Sequence, residues 1–224
     1  MGVARINRDV VDGLALRVHV CIMPRAREKI KGPTMLRLIR QSEMLEGPWR
    51  NGMGVSWEIA SHKEPGAADF SWRFAKARID RDVPFSIYPG MDRVFMQISG
   101  NGLDLEFEGG HILEVHESNM PHAFACDIPL NCKLRGGPCF DLNLFTARGV
   151  YEAQASVLKL SGMETLDLAN IEAVFFALEG SVVFSGHGGA VQLQTGDAAV
   201  ATFEQVATVA GNSASLFVGI LQHL

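Results

Sequence analysis

The chain has 224 residues, 47% of them hydrophobic, with 23 glycines, 9 prolines and a net charge of −5. That length can bury a sizeable core as one large all-β domain or as two small ones, and the glycine and proline content favours many turns over long helices. The acidic balance argues against a generic nucleic-acid surface, and no apolar run approaches the roughly 18 residues that span a bilayer.

Residues 1–34 carry Arg5, Arg8, Arg17, Arg25, Arg27, Lys29 and Lys31 with no repeating apolar face, and Pro33 interrupts whatever precedes Met35. The expectation is a poorly structured N-terminal extension, with the folded part beginning at Met35. Val18 to Met23 is too short an apolar core for a secretion signal, and Arg17 and His19 interrupt it. Cys21, Cys126, Cys132 and Cys139 show no CxxC spacing, so reduced thiols in a cytoplasmic protein are expected.

From Met35 the pattern is strand after strand. Leu36, Leu38 and Arg40 alternate with Arg37, Ile39 and Gln41, and a helical turn is expected at Ser42–Leu45. Pro48 to Gly54 is irregular on the strength of Pro48, Asn51, Gly52 and Gly54. It leads into a strand with Val55, Trp57 and Ile59 on one face and Ser56, Glu58 and Ala60 on the other. Trp72 to Ile79 is a strand, Asp80 to Pro84 a turn cluster, and Phe85 to Asp92 follows it. Val94 to Ser99 and Leu103 to Phe107 are predicted to form a hairpin across Gly100-Asn101-Gly102. Glu117 to Pro129 is polar and proline-punctuated, which predicts a loop. Further strands are expected at Phe140–Ala147, Ala155–Leu160, Ala173–Leu178, Val182–Ser185, Ala190–Leu193, Ala198–Thr202 and Leu216–Leu221.

The chain repeats itself. Val94 to Gly110 (VFMQISGNGLDLEFEGG) lies over Val174 to Gly189 (VFFALEGSVVFSGHGG), matching Val94 with Val174, Phe95 with Phe175, Ile98 with Leu178 and Gly100 with Gly180. Two copies of a strand, glycine turn and strand predict two tandem β-barrels or jelly rolls packed as one unit, the first over 35–150 and the second, degenerate, over 151–224. Phe140 to Ala147 places Asp141 and Asn143 on one face, where the second copy is expected to carry Ser215, Phe217 and Gly219. Acids and amides are costly to bury unpaired, so a polar cavity is expected in the first barrel alone, with Arg73 and Arg93 as counter-charges.

Several chemistries are absent by motif. There is no HxH pair, and His111, Glu114, His116 and His122 are spaced wrongly for one strand face, so no metal and no cofactor are expected. GxSxG, Walker and GxGxxG motifs are also missing.

The segments PWRNGMGVSWEIA, FSWRFAKARIDRDVPFSIYPGMDRVFMQISGNGL, AFACDIP and GGPCFDLNLFTARG together resemble the HutD family of bicupins. Its motifs fall here on Trp49, Asn51, Gly52, Gly54, Glu58, Trp72, Arg73, Pro84, Phe85, Ser86, Pro89, Gly90, Asp92, Arg93, Asp127, Asp141 and Asn143. The departures are Met53 in place of a glycine, Ser56 of a threonine, Cys126 of a glycine, and Ala75 and Lys76 where small hydroxyl residues are common. The resemblance implies a cytoplasmic, non-enzymatic protein that binds an intermediate of histidine degradation, urocanate or a formylated glutamate, and restrains the pathway. A related branch is described only as stress-induced.

The implied ligand-binding residues are Asn51, Glu58, Arg73, Ser86, Arg93, Asp141 and Asn143, supported by Trp49, Gly52, Gly54, Asp92 and Asp127. Arg73 and Arg93 could each present a fork of donors to a small carboxylate. Two other readings stand beside this one. One is a metal-free enzyme using Glu58 or Asp141 as a base; the other is an interaction or stress protein with a vestigial pocket. Neither nucleic acid nor membrane is expected as a partner, and a homodimer is a further expectation.

Overall fold

The computed structural model describes residues 35–166, 171–186, 189–203 and 207–224; the expected extension at 1–34 lies outside them. The alternating segments become strands β1 (Met35–Ile39), β2 (Leu45–Pro48), β3 (Val55–His62), β4 (Trp72–Ile79), β5 (Val83–Pro84) and β6 (Met91–Ser99). There follow β7 (Leu103–Phe107), β8 (Ile112–Val115), β9 (His122–Ala125), β10 (Leu130–Leu134), β11 (Cys139–Ala147) and β12 (Tyr151–Leu166). The last are β13 (Ile171–Glu179), β14 (Ser181–Gly186), β15 (Gly189–Gln194), β16 (Ala198–Phe203) and β17 (Ala207–His223). No helix among the described residues is long and apolar enough to cross a membrane.

Three antiparallel sheets result. A six-stranded sheet runs β2-β3-β4-β11-β6-β9, a four-stranded one β5-β10-β7-β8, and a seven-stranded one β1-β16-β13-β17-β14-β15 with β12 on β17. The first two enclose one core, with Ile79, Phe95, Leu103, Leu105, Cys132 and Cys139 inside. The third curls around its own, built from Phe175, Val182, Phe184, Leu193, Val209 and Leu216. Period-2 alternation gives the six-stranded sheet a second buried face, where Phe74, Met96, Leu142 and Leu144 meet Val174, Phe176 and Phe217 of the other barrel. Phe74 stacks on Phe217 with centroids 5.4 Å apart and planes 13° apart. Gly219 lets the sheets close: a Cβ there would sit 2.8 Å from both Leu144 and Val174.

The duplication is visible in the connectivity. β6 lies between β11 and β9, as β13 lies between β17 and β16, and the β7–β8 hairpin repeats as β14–β15. The long β17 does the work of two strands of the first barrel: its first part pairs β14 as β10 pairs β7, and its second pairs β13 as β11 pairs β6. Even the bulge recurs. Phe140 faces Ser99 and Asp141 faces Gln97, skipping Ile98, while Ser215 faces Glu179 and Leu216 faces Ala177, skipping Leu178.

That register corrects one expectation. The residues equivalent to Asp141 and Asn143 are Leu216 and Val218, both buried in the core of the second barrel. Ser215, Phe217 and Gly219 are one residue out of phase, and a one-residue slip moves side chains to the opposite face. Phe217 and Gly219 accordingly face the first barrel.

Other local expectations change for identifiable reasons. Gly100 to Gly102 is a turn, but β6 and β7 do not pair; they leave it for different sheets. The segment predicted as a loop at 117–129 contains β9, which hydrogen-bonds to β6. The helical turn falls at Gln41–Glu43, and Leu45 already belongs to β2. Strict alternation in β3 ends at a bulge between Glu58 and Ala60, so Ile59 and Ala60 are both buried.

Candidate functional site

The inward face of the six-stranded sheet is polar at one end. Register places Ser56 and Glu58 beside Ala77 and Ala75 of β4, Asn143 and Asp141 of β11 on their other side, and Gln97 of β6 beyond Asp141. Arg73 and Arg93 flank Phe145 on the same face. Ala75 and Ala77 are small, and the hollow above them is a cavity of about 40 Å³. Its walls include Trp49, Ser56, Arg73, Arg93, Asp141 and Asn143. Phe145 of β11 adds to the sheet wall, and Phe85, Ser86 and Tyr88 close the cavity on the loop side.

Arg93 dominates the electrostatics. Its side chain is buried, and its guanidinium lies 4.5 Å from the Phe145 ring centroid, 5.0 Å from Phe85 and 5.6 Å from Phe124. Nε donates to Cys126 Sγ at 3.3 Å, and Nη1 donates to Asn143 Oδ1 at 3.4 Å. Both partners are neutral, and no carboxylate among the described residues forms an ion pair with Arg93. A buried guanidinium held by a thiol, an amide and three rings leaves its charge unneutralised, and burying an unpaired charge is costly. Burial in turn pushes the Cys126 thiol up, against the pull of Arg93.

Asn143 Nδ2 donates to Asp141 Oδ1 at 2.5 Å, while Asp141 Oδ2 is buried with no hydrogen-bond partner. Burial pushes the Asp141 carboxyl up to about 7; the Asn143 hydrogen bond and the Arg93 charge oppose this only in part. Arg73 is different. It is ion-paired, donating from Nε to Glu58 Oε2 at 2.7 Å, and Ser61 Oγ donates to Glu58 Oε1 at 2.8 Å. Glu58 is thus a rim group holding Arg73.

The remaining motif residues have structural partners. Asn51 spends its amide on the loop: Nδ2 donates to the Pro84 carbonyl at 2.9 Å, and Oδ1 accepts from Met53 N at 3.1 Å. Its backbone N–H donates to Ser86 Oγ at 3.2 Å. Asn51 therefore staples the 49–54 loop to the 84–86 loop and does not line the cavity. Trp49 does, with Nε1 donating to the Val55 carbonyl at 3.0 Å. Gly52 takes a positive φ of 71°, and Gly54 lies under the Trp49 indole, where a Cβ would sit 2.5 Å from the ring. Asp92 and Asp127 stand outside the cavity; Arg148 bridges them at 2.7 and 2.9 Å. Met53 is exposed and does not line the cavity either.

Sequence reasoning missed Tyr88, Gln97, Phe124 and Phe145. Gln97 was the most accessible of them, since Arg93, Phe95 and Gln97 follow one another at period 2 on one strand. The aromatic cage joins three separate segments and left no local signal. Among the described residues, no three His, Cys, Asp or Glu side chains converge as a metal ion would require.

Comparison with known proteins follows the same outline. The HutD family model matches residues 41–217. An uncharacterized 21.2 kDa protein in the hutC 3′ region of Pseudomonas putida is 29% identical over 162 residues, covering 71% of this chain and 82% of that protein. A conserved protein of unknown function from Pseudomonas aeruginosa PAO1 shares the fold with a TM-score of 0.76 at 25% identity, over 84% of this chain and 99% of that one. HutD from Pseudomonas fluorescens SBW25, solved in a formate condition, gives 0.73 at 24% identity over 85% and 100%. A cupin 2 conserved barrel protein from Leptotrichia buccalis gives 0.54 at 12% identity over 84% and 96%, a likeness of fold alone.

Proposed function

The chain belongs to the HutD family, tied by name to the histidine-utilisation locus, and on that premise we propose that it is a non-enzymatic ligand-binding bicupin. Its first barrel receives the carboxylate of a histidine-degradation intermediate, urocanate or a formylated glutamate, and occupancy restrains histidine utilisation. One observation carries the reading: Arg93 is a buried cation on a cavity wall with only neutral hydrogen-bond partners. A carboxylate supplies the missing counter-charge, and a guanidinium fork matches its two oxygens.

The size of the cavity bears on how such a ligand sits. About 40 Å³ accommodates roughly three water-sized groups, enough for a carboxylate head. The imidazole of urocanate or the formamide of formylglutamate would then occupy the mouth.

Calorimetry with urocanate, formylglutamate, formate and histidine tests the reading. Saturable binding that Arg93→Ala weakens by about 10- to 100-fold supports it, that being the worth of a charge-assisted hydrogen bond. Flat traces with all four would overturn it. A second reading, an enzyme using Asp141 for proton transfer, draws on a carboxyl that titrates near neutrality beside an arginine. Turnover of any of the four compounds would favour it.

A further inference from the structure

Two of the three buried side-chain polar atoms left without a hydrogen bond among the described residues are Asp141 Oδ2 and Gln97 Oε1. Both are acceptors as drawn, and they belong to residues directly opposite each other on β11 and β6. Opposite side chains in an antiparallel ladder have their Cβ atoms about 5 Å apart, within reach of one another for an Asp and a Gln. Each orphan alone would be destabilising, because a buried polar atom without a partner keeps its full desolvation penalty.

We propose that Asp141 is held in the ligand-free protein as a neutral carboxylic acid whose O–H donates to Gln97 Oε1. One proton then satisfies both orphans and completes a chain of donors running one way. Arg93 Nη1 donates to Asn143 Oδ1, Asn143 Nδ2 to Asp141 Oδ1, and Asp141 Oδ2–H to Gln97 Oε1. Gln97 Nε2 continues it, donating to the Gly100 carbonyl at 3.1 Å and to Ser118 Oγ at 3.3 Å. Hydrogen bonds aligned in this way polarise one another. An ionised Asp141 would leave Gln97 Oε1 facing an anion and would break the chain at its centre.

The rest of the environment agrees. The charged or titratable groups that act on Asp141 or are acted on by it are Arg93 on β6, Cys132 on β10 and Cys139 on β11, and Arg73 of β4 shares the cavity wall. Arg73 is already neutralised by Glu58. Burial raises both thiols, so neither adds a charge near neutral pH. Gln97, Asp141, Asn143 and Arg93 are 0, 2, 5 and 6% exposed, so water outside the barrel reaches none of them freely. Burial of Asp141 points the same way. The second barrel replaces the chain as a unit: Ala173, Val218, Leu216 and Ala177 stand for Arg93, Asn143, Asp141 and Gln97, and all four lie in its apolar core.

The consequence for the site rests on the carboxylate-binding reading given above. With Asp141 neutral, Arg93 alone sets the charge of the cavity, and an incoming anion meets no competing carboxylate. As Asp141 ionises, the site loses its net charge, and affinity for an anion falls by up to about tenfold per pH unit above the titration.

Infrared spectroscopy of ligand-free protein with carboxyl-labelled aspartate tests the charge state without any ligand. The expected result at about pH 6 is a protonated-carboxyl band that fades as pH rises toward about 8 and is missing in Asp141→Asn. In Gln97→Leu the band moves to higher frequency, because the O–H loses its acceptor. Absence of the band in the wild-type protein at about pH 5, or its persistence in Asp141→Asn, would overturn the proposal. Formate titrations then read the linkage: binding at about pH 8 takes up a proton that binding at about pH 6 does not. A protein that shows the band but binds no formate would refute the ligand reading and leave the charge assignment standing.

Discussion

Arg93 and Ala173 occupy equivalent positions in the two barrels, each on the strand that precedes the repeated hairpin and each facing the interior. Around Ala173 the described residues form an apolar core. Around Arg93 the interior is a cage of aromatic rings with polar groups on one wall. The repeated fold thus has two interiors, an apolar core and a cavity with an unmatched positive charge.

The pH dependence of stability follows from the Asp141 carboxyl. It titrates at about 7 in the folded protein, against roughly 3.9 in an unfolded chain. Between those values the native state holds a proton that the unfolded state has released, so stability falls as pH rises and levels off above about 7. Glu172 is also pushed up by burial and adds a slope of the same sign. Thermal melts from about pH 5 to about pH 8 should therefore show a shallower decline in Asp141→Asn than in the wild-type protein. Equal slopes would contradict the assignment.

The seam between the barrels depends on Gly219. A methyl group at that position meets Leu144 and Val174 at 2.8 Å, inside two buried sheets that cannot readily separate. Gly219→Ala should cost about 1–3 kcal/mol in denaturant titrations, the usual range for overpacking a core. A neutral substitution would mean that the seam is looser than the Phe74–Phe217 stack implies.

Arg148 provides a control. It bridges Asp92 and Asp127 at the surface, and all three side chains are a third or more exposed, where screening leaves such pairs worth no more than about 1 kcal/mol. Arg148→Ala should lower stability by less than that and leave carboxylate affinity unchanged, as calorimetry would show. A marked loss of affinity would bring Asp92 and Asp127 back to the site.

Much of this was legible in the sequence, because period-2 alternation is local. Alternation alone marks the bounds of Trp72–Ile79, and the offset between Val94 and Val174 reappears as the repeated strand order of the two barrels. Strand pairing was less legible. Gly100-Asn101-Gly102 carries a strong turn signal, but whether its flanking strands pair is decided by partners distant in sequence, such as β11. The slip at Ser215 has the same origin, since a bulge at Leu178 changes the phase without any local mark. At the site, Arg93, Asp141 and Asn143 were readable as polar residues at inward positions. Asn51 was not, because what separates a cavity group from a loop staple is the location of the Pro84 carbonyl.

In the proposed function the first barrel takes a carboxylate on Arg93. A crystal of the protein soaked with formate or formylglutamate tests it most directly. The expected result is density for the carboxylate within hydrogen-bonding distance of the Arg93 guanidinium, inside the cavity walled by Trp49, Ser56 and Phe145. A cavity that remains free of carboxylate at saturating concentration, or a carboxylate bound only at other residues, would contradict it.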